Sequence, residues 1–393
     1  CGKNIMTETM RQFLDFLTVA EFAQAVLLIF ILFVMDKNRK ANIFFAGFLI
    51  ILSSNFFLFY LFKSDIKCAS FIFGLLALPG ISVTGVFIYL YVLFMTGMID
   101  RIKLKHCLHF IVYSFSLFFF IVTVYNLKGD YKDSATFRQS MFILISIGFI
   151  NSISYIIYTI AILKKYYNKI ENYYSDLEKI SLRWLLRITS LSFIILAFWC
   201  ITFMFSHLGI IPRSPMSIAG NLIMLIITIF ITAYHLINQP EIFRKNIEMN
   251  QTIEDSEDSS ASEKYARQSI DENMQDEYLA KVSSFMIEKK PYLEESITIK
   301  DLAEEINIPP HHLSIVINNR LNKNFYTFIN EYRIKEAVSI LDDPENSDAS
   351  IIAIAFRSGF NSKSTFNSVF KKITGLTPSE YRSRETSESI LAS

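Results

Sequence analysis

Through the first 240 positions apolar residues run in blocks of about 20, parted by short charged clusters; after Glu241 the pattern turns mixed and polar. A helix of that length crosses the roughly 30 Å hydrocarbon core of a bilayer. Seven spans are expected, over 12–35, 41–62, 69–97, 107–125, 140–163, 188–210 and 217–238. Beyond the last block, the residues after 276 show apolar positions at helical spacing, the pattern of a soluble helical domain. The expected fold class is therefore all-α: a seven-helix transmembrane domain followed by a cytoplasmic domain.

The soluble part repeats one pattern twice. In the first copy Thr298 to Asp301 reads as a capping box that opens a helix; Ala303 lies inside it, Asn307 follows four residues on, and a second helix carries Leu313, Val316 and Ile317. In the second, Gly359 follows Ala355 by four, and a helix starting near Ser362 carries Phe366, Val369, Phe370 and Ile373. Each copy is a helix-turn-helix: the small Ala lets two helices cross closely, and Asn or Gly accepts the left-handed turn between them. The second turn is expected to be one residue longer. Between the copies Phe328, Ile329, Tyr332, Ile334, Ala337, Val338 and Leu341 recur at helical spacing, which predicts one connecting helix.

Composition sharpens the division. Of 393 residues 52% are hydrophobic, 37 are Phe and only 19% are charged, too apolar for an ordinary soluble chain. The net charge of +1 averages two unlike parts. Between the expected spans, the first, third and fifth loops hold twelve cations (Lys37, Arg39, Lys40, Arg101, Lys103, Lys105, Lys164, Lys165, Lys169, Lys179, Arg183, Arg187), and the other three hold six. Positive residues gather on the cytoplasmic side, so the N-terminus is expected outside and the C-terminal domain inside, at a cytoplasmic membrane. The expected organisation is a sensor domain over 1–240, an acidic Ser-rich linker over 241–275, a DNA-binding domain over 276–385 and a tail over 386–393. From Glu248 to Gln275 acidic residues far outnumber Lys264 and Arg267, so this stretch reads as an extended tether that repels phosphate. Cys1, Cys68, Cys107 and Cys200 are scattered, without the spacing of a metal or redox site, and no cofactor is expected. The sequence begins on Cys1, which leaves a start at Met6 or Met10, a processed product and a fragment equally open.

The paired units, together with Gly359-Phe360, Phe366, Phe370-Lys371-Lys372, Gly375, Thr377-Pro378 and Tyr381-Arg382, resemble the AraC/XylS family of bacterial transcription regulators over about 110 residues. The membrane half is similar in architecture alone to multi-span sensor versions of that family. The resemblance implies that each unit places its second helix in a major groove of promoter DNA, the two about one helical turn apart on one face. It puts base reading on His311, Ser314 and Ile315, and on Lys363, Ser364, Asn367 and Ser368. Relatives often carry Arg where Ile315 stands; Ile can pack on a thymine methyl but cannot hydrogen-bond a guanine.

Helical geometry independently turns His311, Ser314, Ile315 and Asn318 away from the first core, and Ser364, Asn367, Ser368 and Lys371 away from the second. Charge favours the second unit. Residues 351–384 carry Arg357, Lys363, Lys371, Lys372, Arg382 and Arg384 against Glu380, a net of +5, whereas 276–321 net −3 with five cations against eight anions. Phosphate attraction is expected mainly from the second unit, through Lys363, Lys371 and Lys372. Adjacent His311 and His312 point about 100° apart on a helix, which argues against a metal site.

Polar residues within the spans are the candidate sensing chemistry. A carboxylate in lipid is costly, so Glu21 reads either as part of a ligand- or proton-sensing pocket or as a packing residue. Asn55, Asn151, Asn221, His207 and His235 suit interhelical hydrogen bonds, and Pro79-Gly80 can break a helix and free a carbonyl. The long loop Lys164–Arg187 reads as an amphipathic helix capped by Ser175, with Leu177, Ile180 and Trp184 on one face, and is a candidate relay surface or a basic membrane anchor. The reading that gathers these features is a membrane-bound one-component transcription regulator answering an unknown signal, with a homodimer left open. The alternative is a transporter or receptor with a regulatory tail; an enzyme is not indicated, since the soluble half has no phosphate loop, nucleophile signature or metal-ligand cluster.

Overall fold

The computed structural model describes residues 2–63, 78–126, 135–178, 180–210, 215–238 and 270–384. They are helical almost throughout, with no strand among the described residues. Two compact units form, one from residues 1–164 and 182–251, the other from 165–181 and 252–393. The expected tether falls mostly outside the described residues. Its last part is not a tether: Asp271 and Glu272 open a helix, where acidic side chains suit the N-terminal dipole.

The first unit contains α1 (Gly2–Val34), α2 (Arg39–Lys63), α3 (Thr84–Met95), α4 (Ile111–Asn126), α5 (Ala135–Glu171), α6 (Arg183–His207) and α7 (Pro215–Asn238), with the end of α5 passing into the second unit. Here α1 packs on α2 and α7, α2 on α3, and α6 on α7. Among the described residues four helical stretches are long and apolar enough to cross a membrane: Glu8–Val34, Leu104–Asn126, Ala135–Glu171 and Arg183–Phe205. Ile81–Met95 and Leu222–Asn238 are shorter apolar helices. Seven spans are therefore not reached on length and composition among these residues, and the first part of the expected third span, 69–77, lies outside them. Large apolar side chains point outward, with Phe30 65% and Phe230 70% exposed.

Polar groups join these helices. Pro79 and Gly80 lead into a 3-10 turn, Ile81–Val83, whose carbonyls are freed from the α ladder. Ser152 on α5 donates to the Ile81 carbonyl at 2.5 Å, and Asn151 to the Ser82 carbonyl at 2.7 Å. Gly85 makes the crossing close: a Cβ there would lie 2.6 Å from the Ser152 carbonyl oxygen. His207 stacks on Phe142 and His235 on Trp184. Asn151 and the broken helix thus serve packing as the pattern suggested, while the side chains of Asn55 and Asn221 lie outside those described.

The second unit contains α8 (Glu272–Lys289), α9 (Ile299–Glu305), α10 (Pro310–Leu321), α11 (Phe325–Asp342), α12 (Ile351–Arg357), α13 (Lys363–Thr374) and a last helix, α14, over 378–384. Helix α11 serves two cores. Its Phe325, Phe328 and Ile329 pack with Leu302, Ala303, Leu313 and Ile317; its Ile334, Ala337 and Ile340 pack with Ala355, Phe360, Phe366 and Phe370. Residues 172–182 do not form the expected amphipathic helix. The described ones, 172–178 and 180–182, run in turns, a bend and irregular backbone, Ser175 caps nothing, and its hydroxyl donates to the Ile297 carbonyl at 2.7 Å. Leu177 and Ile180 are buried.

Candidate nucleic-acid interface

Local chemistry sets each helix-turn-helix. In the first, the Asp301 amide donates to the Thr298 hydroxyl at 3.2 Å and the Thr298 amide to the Asp301 carboxylate at 2.9 Å, the reciprocal capping box that starts α9. Ala303 is fully buried at the crossing, and Asn307 takes the left-handed turn at φ 57°. Four residues separate α9 from α10, and five separate α12 from α13, the extra residue the sequence suggests. In the second unit the Ser350 and Ser362 hydroxyls cap α12 and α13 by accepting from the Ala353 and Thr365 amides. Phe360, Phe366, Phe370 and Tyr381 continue ring to ring at centroid separations of 5.2 to 5.6 Å, tying the recognition helix to α14. Arg382 closes that end by donating to the Ala349 carbonyl at 2.7 Å.

The two recognition helices present unequal faces. On α13, Lys363, Ser364, Ser368, Lys371 and Lys372 are exposed while Phe366, Val369 and Phe370 are buried, so a basic, hydroxyl-bearing face stands clear of the core. Asn367 is half-buried, and its side-chain oxygen is buried without a hydrogen-bond partner. On α10, Leu313, Val316 and Ile317 are buried as expected, but His311, Ser314, Ile315 and Asn318 are all only half-exposed. Asn318 spends its amide on the Ser314 carbonyl at 2.8 Å, and the His311 and His312 rings meet edge to face at 4.2 Å. Arg320 is engaged with Asp276 at 3.0 Å. The first unit therefore offers a smaller and less basic surface.

Arg333 was not among the expected functional residues. It is 1% exposed on α11, donating to the carbonyls of Tyr292 at 2.8 Å, Glu294 at 2.7 Å and Glu295 at 3.1 Å, and to the Ser175 hydroxyl at 3.3 Å. Desolvation pushes its guanidinium down to about 10, with Asp176 opposing that shift. A sequence signal existed: Arg333 stands four residues from both Ile329 and Ala337, on the buried stripe of the helix.

In the compact unit that holds the apolar helices, Glu21 is fully buried on α1, and neither carboxylate oxygen has a hydrogen-bond partner. One turn on, Gln24 donates to the Ile226 carbonyl of α7 at 3.1 Å, and its own oxygen is buried without a partner. A separate cavity of about 100 Å³, lined by Phe45, Ile81, Gly85, Trp199, Leu225 and Thr228 among others, does not include Glu21. Among the described residues no group of His, Cys, Asp and Glu could hold a metal ion.

Two helix-turn-helix units on one connecting helix define a DNA-binding class of domain. Residues 302–384 match the family described as "Helix-turn-helix domain". The chain is 29% identical over 105 residues to the melibiose operon regulatory protein of Escherichia coli (strain K12), covering 27% of this chain and 33% of that protein. It is 28% identical over 88 residues to the uncharacterized HTH-type transcriptional regulator YdeC of Bacillus subtilis (strain 168), covering 22% of this chain and 29% of that one. To an uncharacterized HTH-type transcriptional regulator of Staphylococcus aureus (strain COL) it is 32% identical over 91 residues, 23% of this chain and 12% of that protein. The chain thus spans a third or less of the length of these relatives. No solved structure gives a significant match. The C-terminal unit is a helix-turn-helix domain of the type found in transcription regulators.

Proposed function

We propose that this chain is a membrane-bound one-component transcription regulator, in which a signal received by the apolar unit alters promoter binding by the two helix-turn-helix units. The observation that carries this is the exposed basic face of α13, held on its own aromatic core in a chain whose other unit is built of apolar helices. Seven spans with a cytoplasmic C-terminus remain the proposed topology. It draws support from the Lys40 ammonium, which donates to the Asp100 carbonyl at 3.3 Å, since these loops are ones that the cation count assigns to the same side. On this reading Lys363, Ser364, Asn367, Ser368 and Lys371 face the major groove, His311, Ser314, Ile315 and Asn318 make a weaker second contact, and Lys372 pairs with phosphate. Glu21 is the proposed sensing residue.

The test is immunoprecipitation of the full-length protein from membranes, with sequencing of the bound DNA. Enrichment of a few promoter regions is the expected result. A membrane fraction that carries the protein and enriches no DNA ends the regulator reading in favour of a transporter or receptor. A cytoplasm-specific reporter fused after Ser393 should be active; silence there, with an active periplasmic reporter, would refute the topology.

A further inference from the structure

The compact unit that holds the helix-turn-helix pair is completed by a segment far away in sequence, Lys165–Ser181, made of the end of α5 and the stretch that leads on toward α6. Tyr174 bridges to Thr298, the Ile299 amide donates to the Tyr173 carbonyl at 3.0 Å, and Ser175 is buried against Ile297 and Arg333. The segment then reaches the second helix-turn-helix. Asp176 accepts from the Asn361 amide in the turn before α13, and Glu178 accepts from the Thr365 hydroxyl in its first turn at 3.5 Å. Upstream, Glu171 accepts from Asn324 at 2.9 Å and feels the charge of Lys372.

Glu178 and Glu171 lie toward one flank of α13, beside Thr365 and Lys372, and Asp176 lies at the turn that leads into it. At 100° per residue Thr365, Ser368 and Lys372 fall within about 60° of one another, while Ser364 and Lys371 project further round. A helix lying in a major groove has phosphate strands along its flanks, and its N-terminal turn attracts phosphate through unpaired amides. Asp176 and Glu178 place negative charge where a phosphate strand would pass, and Glu171 offsets Lys372.

We infer that the Asp176–Glu178 stretch competes with DNA phosphate for the flank of the second recognition helix, holding the unit in a state of reduced DNA affinity. This rests on the DNA-binding reading above. The segment is continuous with α5 and α6, so a change in those helices reaches the DNA-binding unit through it. Signal reception and promoter release then need no second protein.

The experiment uses the full chain in detergent or nanodiscs with a non-specific duplex, comparing the parent with the double variant Asp176→Asn and Glu178→Gln. Both isosteres keep hydrogen-bonding capacity while removing charge. Removing two like charges several ångströms from phosphate should tighten binding roughly five- to tenfold at low salt, shrinking as salt screens them. In the parent, saturation with duplex should raise hydrogen exchange across residues 172–178 as the stretch is displaced. A variant that binds no tighter than a DNA-binding parent overturns the inference and spares the DNA-binding reading, as does protection of 172–178 by duplex. Parent and variant both failing to bind overturns both.

Discussion

A Cβ on Gly359 would lie 2.4 Å from the carbonyl oxygen of Tyr292, the same oxygen that accepts from Arg333. The turn of the second helix-turn-helix is thus pressed against residues 292–293, which precede the first. Gly359 also sits at φ 89°, where L side chains are strained. Gly359→Ala adds a clash with backbone, which cannot rotate away, to that strain. The expected cost is roughly 2–4 kcal/mol, seen as faster limited proteolysis of the C-terminal unit in the purified chain. An alanine variant as resistant as the parent would show that the contact is not close.

Tyr292 gives the junction a pH dependence. Burial, and the hydrogen bond its hydroxyl donates to Glu336 at 3.1 Å, push its phenol up to about 12. A folded pKa above the unfolded value means that the stabilisation is complete below pH 10 and is lost as pH rises from 10 to 12. Over that window the parent should lose about 2–3 kcal/mol relative to Tyr292→Phe, which has no phenol to titrate. Arg333, whose depressed value acts in the opposite direction, is present in both proteins and cancels in the comparison. The stability of the parent minus that of the variant, followed by protease resistance, should fall as pH rises from 10 to 12; a constant difference would refute the assignment.

The helix-turn-helix units were legible because their determinants are local. Ala303 and Ala355 mark the crossings, Thr298 and Asp301 the cap, and Gly359 the turn, each within a few residues of what it controls. Ser175 shows where that logic stops. Serine followed by Leu177, Ile180 and Trp184 fits a capped amphipathic helix, yet Ser175 bonds to Ile297, over a hundred residues away, and Leu177 and Ile180 are buried in turns. A hydrophobic period reports that side chains will be buried, not which surface buries them. On α10, helical spacing correctly buried Leu313, Val316 and Ile317, while the hydrogen bond from Asn318 back to the Ser314 carbonyl is a local side-chain choice that spacing alone does not specify.

Glu21 poses a choice between function and packing that stability can decide. A buried carboxylate without partners costs free energy, so a residue kept for sensing should be a local liability. Glu21→Gln is expected to raise the thermal midpoint of the detergent-solubilised chain, on the order of 1–3 kcal/mol in stability, while blunting the transcriptional response to an inducing condition. A lower midpoint would mean that the carboxylate supports the packing of α1. An unchanged response in every inducing condition would remove its sensing role.

The division of labour on the recognition face predicts two separable defects. Lys371 and Lys372 are exposed side chains in the last turns of α13, and on the proposed reading their ammonium groups reach phosphate as that helix faces the groove. Replacing both with Ala should weaken specific and non-specific duplex binding alike. Each lost phosphate contact removes about 0.9 from the slope of log K against log salt, so the pair should flatten it by roughly 1.8. Asn367 sits higher on the same helix with an unpartnered side-chain oxygen, and its amide can pair with adenine. Asn367→Ala should cost about 1–3 kcal/mol at a single base position and leave the salt slope nearly unchanged. Both measurements use the full chain, because residues 165–181 are part of the folded DNA-binding unit. If the lysine pair leaves the slope intact while Lys300→Ala with Arg320→Ala abolishes binding, the anchor lies in the first unit. That outcome is not expected, since Lys300 is already beside Glu304 and Arg320 is held by Asp276.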